Sequence, residues 1–208
     1  QALGDATRDV APADRLMLYQ ALYAALPPNL SADDAKGLAA FAERVSAWQI
    51  KALREGKRRS SWEAPDSEYE AHCTALIEQL LDPARSPRFL TGLTGLVRDL
   101  SAPALAASLA QTGLRYLLPG VPDCYQGAEL LDLTMVDPDN RRPVDYAHRR
   151  EVLAGSAEGP GAAKLHLIRR LLGLRRAHPE PFLNGTLDRA SVIGPRAGHV
   201  LAFTLPGG

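Results

Sequence analysis

The stretch L-L-P-G-V-P-D-C-Y-Q-G-A-E-L-L-D-L-T-M-V-D-P-D-N-R-R-P-V-D, residues 117–145, decides how this chain is read. It opens as a short apolar run, breaks at Pro119-Gly120, and becomes a long polar loop. That loop carries Asp132, Asp137, Asp139, Asn140, Arg141, Arg142 and Asp145, preceded by Tyr125, Gln126 and Glu129. A buried strand is expected at 115–118, with Val121 to Tyr125 as its continuation. Polar groups fixed on a loop just after such a strand are how α/β barrels present substrate contacts. Almost everything else reads as amphipathic helix.

The chain has 208 residues, enough for one large domain or two small ones. Its 24 basic and 24 acidic residues balance, so no net field draws it to nucleic acid or an anionic membrane. No apolar run approaches the roughly 20 residues of a membrane helix, and no signal peptide opens the sequence. The two cysteines, Cys73 and Cys124, lack metal-ligand spacing and favour a reducing, cytoplasmic setting. The first residue is not Met, and the last four residues follow directly on an expected strand, which reads as part of a longer protein.

Before the central stretch the sequence predicts helices in short-looped succession, a helical bundle or insertion. Residues up to about Pro12 read as a linker. Asp14 is placed to cap the first helix, with Leu16, Tyr19 and Tyr23 on one face and Pro27-Pro28 as its stop. Ser31 and Asp34 open a second helix, with Leu38, Phe41, Val45, Trp48, Ile50 and Leu53 as its apolar side. Five basic residues against one acid lie between Lys51 and Arg59, and cations at a helix C-terminus complement its dipole without any ligand. Pro65 or Asp66 starts a third helix, with Tyr69, Cys73, Leu76, Ile77 and Leu80 as its stripe. Two more are expected, 87–100 and 101–113, divided by Ser101-Ala102-Pro103.

After the polar loop, Asp145 can cap a short helix, and residues 162–177 form a strong one with five basic residues and no acid. Such arginines flank apolar stripes and pair with neighbouring elements. Residues 185–193 and 199–205 read as a hairpin around G-P-R-A-G, too little sheet to be stable alone.

Strand, Pro-Gly-Val-Pro, aromatic-Gln-Gly and acid resembles the eighth strand and following loop of α-amylase-type (β/α)8 barrels. The longer run Y-Q-G-A-E-L followed by D-L-T-M-V-D-P-D-N-R-R-P-V-D resembles the maltooligosyltrehalose synthase family within that superfamily. L-Y-Q-A-L-Y-A-A-L-P at 18–27, K-A-L-R-E-G-K-R-R-S-S-W with E-Y-E at 51–70, and L-I-R-R-L-L-G-L-R-R-A-H-P-E at 167–180 resemble it too. The resemblance implies a mainly α chain in three parts. Residues 1–113 would be a helical insertion, 114–180 the eighth strand, substrate loop and last helix of a barrel, and 181–208 the start of a C-terminal β-domain.

The resemblance also implies an intramolecular transglucosylase that turns the reducing-end α-1,4 linkage of a maltooligosaccharide into α,α-1,1. The family's Asp nucleophile, Glu acid/base and second Asp have no matching motif here. No catalytic residue is assigned, and the chain alone is expected to be inactive. The expected substrate contacts are Asp137, Asp139, Asn140, Arg141, Arg142, Tyr125 and Gln126. Planar polar groups meet sugar hydroxyls, and an aromatic face covers the apolar side of the ring. The implied partners are a maltooligosaccharide and the remainder of the same enzyme chain; no nucleic acid, membrane, metal or cofactor is expected.

Competing readings stand beside these. D-P-D-N-R-R-P can be a structural turn in which Asp137 and Asp139 accept amide bonds and Arg142 pairs with Asp145. Glu129 has no partner carboxylate at a defined spacing and reads as structural. Trp62 either lines a glucan-binding cleft or pins its loop to the bundle. Other α-amylase-type hydrolases or transferases, and a non-catalytic helical module for glucan or protein, are the alternatives to the synthase reading.

Overall fold

A computed structural model describes residues 7–159 and 161–206, so part of the expected linker lies outside the described residues. The helices are α1 (Pro12–Ala25), α2 (Ala35–Gly56), α3 (Ser67–Leu80), α4 (Pro87–Leu117), α5 (Tyr146–Ala154), α6 (Ala162–Ala177) and α7 (Glu180–Leu183). Two short strands, β1 (Asp188–Arg189) and β2 (Phe203–Thr204), follow. The chain divides into two compact units, Gln1–Ala102 with Leu133–Pro143, and Pro103–Asp132 with Val144–Gly208. No helix among the described residues is long and apolar enough to cross a membrane.

In the first unit, α2 and α3 form the packed pair. Asp34 caps α2 by accepting from the Gly37 amide at 2.9 Å, and Asp66 caps α3 by accepting from the Tyr69 amide at 3.0 Å. Leu38, Phe41, Ala42, Val45 and Leu53 of α2 are buried with Cys73, Leu76, Ile77 and Leu80 of α3. These spacings are the one-sided stripe of a helix facing a core.

Helix α1 is entered differently from the sequence expectation. Pro12 stands in its first turn, and Asp14 lies inside the helix, where Oδ2 accepts from the Tyr69 hydroxyl at 2.5 Å. The buried face is Leu18, Leu22 and Ala25, whereas Leu16 is exposed. Both stripes have helical spacing, and the all-aliphatic one packs while the tyrosines keep their hydroxyls near the surface.

Two further expectations are corrected. Residues 87–117 form a single 31-residue helix with Pro103 inside it. Ser101 does not cap a new helix; its hydroxyl donates to the Val97 carbonyl at 2.7 Å, an i−4 bond that keeps it within the helix. The proline therefore costs one backbone bond without ending the element.

The second correction concerns the expected strand at 115–118: Arg115, Tyr116 and Leu117 are the last turn of α4, and 121–125 is irregular. Arg175 of α6 explains this. Its guanidinium donates to the carbonyls of Tyr116 at 3.0 Å and Leu118 at 3.1 Å, and also to that of Gly120. A cation on orphaned C-terminal carbonyls answers both their hydrogen-bonding need and the helix dipole. Phe182 stacks under the same guanidinium at 4.4 Å. Gly120, at φ +105°, turns the chain away, and its amide donates to the Phe182 carbonyl at 2.8 Å.

Helix α5 is capped as expected, with Asp145 accepting from the His148 amide at 2.9 Å. The hairpin is shorter than expected. Asp188 pairs with Thr204 and Arg189 with Phe203, antiparallel, and 190–202 is irregular apart from a 3-10 turn, Ala197–His199. Isolated two-stranded pairing is weak, so it does not extend.

Arg175→Met keeps the side-chain volume but leaves three carbonyls without their charged donor. The expected loss is about 1.5–3 kcal/mol, read as a lower urea midpoint. An unchanged midpoint would show that water caps α4 equally well.

Candidate functional site

The loop 133–143 folds against α2 within the first unit. A turn begins where the Asp139 amide donates to the Val136 carbonyl at 3.2 Å, and a 3-10 turn, Asp139–Arg141, continues it. The peptide bond Asp137-Pro138 is cis.

Asp139 is the centre of this loop and is only 6% exposed. Arg44 of α2 grips it with both edges of its fork, Nε to Oδ1 at 2.9 Å and Nη2 to Oδ2 at 2.8 Å. The Met135 amide donates to Oδ2 at 2.9 Å, and Arg142 Nε lies 3.3 Å from Oδ1. Arg44 Nη2 also donates to the Leu133 carbonyl at 3.3 Å, so one side chain holds both ends of the turn. Burial pushes the Asp139 carboxyl up, but Arg44, the Met135 amide and Arg142 together bring it below its ordinary value. A fork-to-fork pair of this kind is strong and directional.

Asp137 sits beside it and meets two cations. Lys51 Nζ of α2 lies 3.4 Å from Oδ2, and Arg141 Nε pairs with Oδ1. Lys51 also meets Glu55 at 3.1 Å. The Arg141 side chain is 76% exposed, so its free Nη edge faces solvent while Nε is tethered. Arg142 is exposed apart from its contact with Asp139, and Asn140 has Oδ1 buried without a donor among the described residues. Arg142 thus pairs with Asp139, where Asp145 was the partner expected from sequence; Asp145 is occupied as a helix cap.

Five of the seven expected contact residues therefore lie together on one turn: Asp137, Asp139, Asn140, Arg141 and Arg142. Tyr125 and Gln126 belong to the second unit, where both are exposed. There Glu129 pairs with Arg149 at 3.1 Å, and Arg149 Nη2 donates to the Gly127 carbonyl at 2.5 Å. Glu129 is thus held by a structural ion pair.

Sequence reasoning missed Arg44 and Lys51, the two residues that mount the loop. Arg44 sits beside Val45 of the buried stripe, and a lone arginine at that margin was the available signal. The basic run 51–59 has more specific work than complementing a dipole. Lys51, Arg54, Lys57 and Arg59 each meet a carboxylate, respectively Asp137, Glu70, Glu63 and Asp14.

A mainly helical chain carrying one ion-paired, arginine-bearing loop is the class that this geometry defines. The particular likeness is to the maltooligosyltrehalose synthases: the chain is homologous to one segment of their length. It is 41% identical over 165 residues to a protein of Mycobacterium tuberculosis (strain CDC 1551 / Oshkosh) provisionally named maltooligosyl trehalose synthase; the match covers 79% of this chain and 20% of that protein. The solved maltooligosyltrehalose synthase from Arthrobacter ramosus matches at 32% identity and a TM-score of 0.73, over 97% of this chain and 26% of that one. Another structure, of a maltooligosyl trehalose synthase, gives 27% identity and a TM-score of 0.71 over 88% of this chain and 25% of that one. The chain spans about a fifth of the length of the curated relatives it matches. No family model matches it.

Asp139→Asn removes the charge opposite Arg44 and puts an amide where the Met135 N–H and the guanidinium both need acceptors. The expected cost is about 2–4 kcal/mol. Because the folded carboxyl titrates below its ordinary 3.8, its contribution is complete above that pH and is lost as pH falls through the lower folded value. The gap in unfolding free energy between wild type and variant should hold from pH 7 down to the ordinary 3.8 and narrow as pH falls below it, through the lower folded value. A gap that ignores pH would mean that the carboxylate charge contributes nothing.

Proposed function

We propose that this chain supplies part of the sugar-binding surface of a maltooligosyltrehalose synthase. The reaction is conversion of the reducing-end α-1,4 linkage of a maltooligosaccharide to α,α-1,1. The observation that carries the reading is the 133–143 loop, whose acids are clamped from within and whose Arg141 fork points outward. The 41% identity to the mycobacterial protein supports it.

In this isomerisation the released glucose must stay bound, turn over, and return to the glycosyl group before water does. A mobile loop would let it escape. Fixed donors and acceptors around its hydroxyls prevent that, at no cost in reorganisation. We assign Arg141, Asp137, Asn140 and Arg142 to direct contact with the sugar. Asp139, gripped by Arg44, places them. In the second unit, taken by itself, we propose Tyr125 as an aromatic face and Gln126 as an amide for sugar. No residue of this chain is assigned to bond breaking, so catalytic carboxylates are to be sought in the remainder of the enzyme. No cofactor or metal enters the reading.

In domain terms we propose 1–113 as a helical insertion. Residues 114–180 would be the closing portion of a (β/α)8 barrel, with 121–125 extended only where further strands pair with it. Residues 181–208 would start a β-domain. The free thiols of Cys73 and Cys124 support a cytoplasmic location.

The test is product analysis on the protein at its full encoded length, with maltopentaose as substrate and this chain in parallel. Reducing ends should disappear without free glucose in the full-length protein alone. Arg141→Ala should raise the ratio of glucose release to isomerisation about tenfold, the effect of one charge-assisted hydrogen bond. Glucose and shorter maltodextrins from the wild type would instead identify a hydrolase. Binding without turnover at full length would favour a glucan-binding module.

A further inference from the structure

The exposed ring of Trp62 lies outside everything assigned above. It is 53% exposed, although a tryptophan that merely pins a loop is covered by what it pins. One face rests on Arg54, whose guanidinium is 4.9 Å from the ring centroid. That guanidinium is itself fixed, with Nε 2.8 Å and Nη2 2.7 Å from the two oxygens of buried Glu70. The loop carrying Trp62 is equally fixed. The buried Ser60 hydroxyl donates to Glu70 at 2.5 Å and accepts from the Asp66 amide at 3.1 Å, while Ser61 and Ala64 close a turn at 3.2 and 2.9 Å. The ring is thus an outward aromatic surface held on rigid support. The adjacent pair Lys57–Glu63 adds exposed polar groups.

Helix α2 sets where this surface lies. Lys51 and Arg54 are three residues apart, neighbours on one helical face with Cβ atoms roughly 5–6 Å apart. Lys51 holds Asp137, which tethers Arg141; Arg54 holds Trp62. The last turns of α2 therefore support both the exposed arginine, through Asp137, and the exposed tryptophan, in the same compact unit.

We propose that Trp62 and Arg141 form one continuous α-glucan-binding strip, with Trp62 as a stacking platform for a glucose unit further along the maltooligosaccharide than the one Arg141 meets. This rests on the sugar-binding reading of the 133–143 loop. An α-1,4-glucan suits the arrangement, since its pyranose faces are apolar and its hydroxyl rims polar, matching a ring flanked by charged forks. The stack on Arg54 orders the ring before ligand arrives, so little side-chain freedom remains to be lost on binding.

Trp62 is one of the two tryptophans of this chain, so the difference in fluorescence between wild type and Trp62→Leu reports the platform. Maltohexaose titrated into the full-length protein should quench or shift the emission saturably. Trp62→Leu should reduce the amplitude of that change and weaken binding roughly three- to tenfold. Trp48→Phe should leave the signal in place. In turnover, Trp62→Leu should raise KM with kcat nearly unchanged, and more for maltohexaose than for maltotriose, which a purely structural role would not discriminate. A wild-type signal undiminished in Trp62→Leu, or a variant with unaltered KM for maltohexaose, overturns the proposal while the synthase reading stands. A Trp62-dependent signal in a protein that makes no α,α-1,1 product overturns the synthase reading and leaves the platform.

Discussion

The fork of Arg44 around the Asp139 carboxylate is the contact on which the loop 133–143 depends. Residues 133–143 contain two prolines, four charged residues within 137–142, and one large buried apolar side chain, Met135. Such a segment cannot hold its shape by apolar burial. It is shaped by one carboxylate that satisfies a loop amide and two guanidinium groups, and by one guanidinium that also reaches the Leu133 carbonyl. A pair of this kind adds little net stability over an apolar substitute, because desolvation offsets most of the Coulomb gain. Its contribution is to make other loop conformations expensive, since each would leave a buried charge unmatched.

The helical half of the fold was legible because its signals are local. Asp34, Asp66 and Asp145 each cap where the sequence put a helix start, and the stripe Cys73, Leu76, Ile77, Leu80 is buried as read. The failures are places where a distant residue decides, or where one local group serves two structures equally well. Arg115 to Leu118 has the composition of a short buried strand, and it is helical because Arg175, 57–59 residues away, caps its carbonyls. Ser101-Ala102-Pro103 has the chemistry of a helix start, yet a hydroxyl that can bond backwards serves a continuing helix equally well. In α1, two candidate stripes compete and only packing partners choose between them. Five of the seven candidate contacts were legible as neighbours on one turn, whereas Tyr125 and Gln126 lie in the other unit. What mounts them was not, because Arg44 and Lys51 lie 95 and 86 residues before their carboxylates, Asp139 and Asp137.

The second unit uses its basic residues in a contrasting way. Lys164 donates to the Leu130 carbonyl, Arg169 to Leu153, Arg175 to the end of α4, and Arg149 to Gly127 and Asp145. Here cations meet backbone carbonyls, the groups that irregular segments and helix ends leave unpaired. In the helix with five basic residues and no acid, which in isolation suggests an anionic surface, three of the five are thereby accounted for by its own neighbours. Formal neutrality of the whole chain hides these two distinct uses of positive charge.

In the first unit, positive charge passes outward through a chain of alternating sign: Glu55, Lys51, Asp137, Arg141. Each inner member is held by two partners and the last by only one, so the residue with most freedom to meet a ligand is the one most exposed. A parallel series runs Ser60, Glu70, Arg54, Trp62, again from a buried anchor to a half-exposed end. Both series issue from the last turns of α2. A helix end is well suited to this, because its backbone is rigid while side chains three and four residues apart fan toward different loops. Precision at a sugar-binding surface requires groups that are ordered before the ligand comes. Two loops without a core of their own obtain that order from one helix.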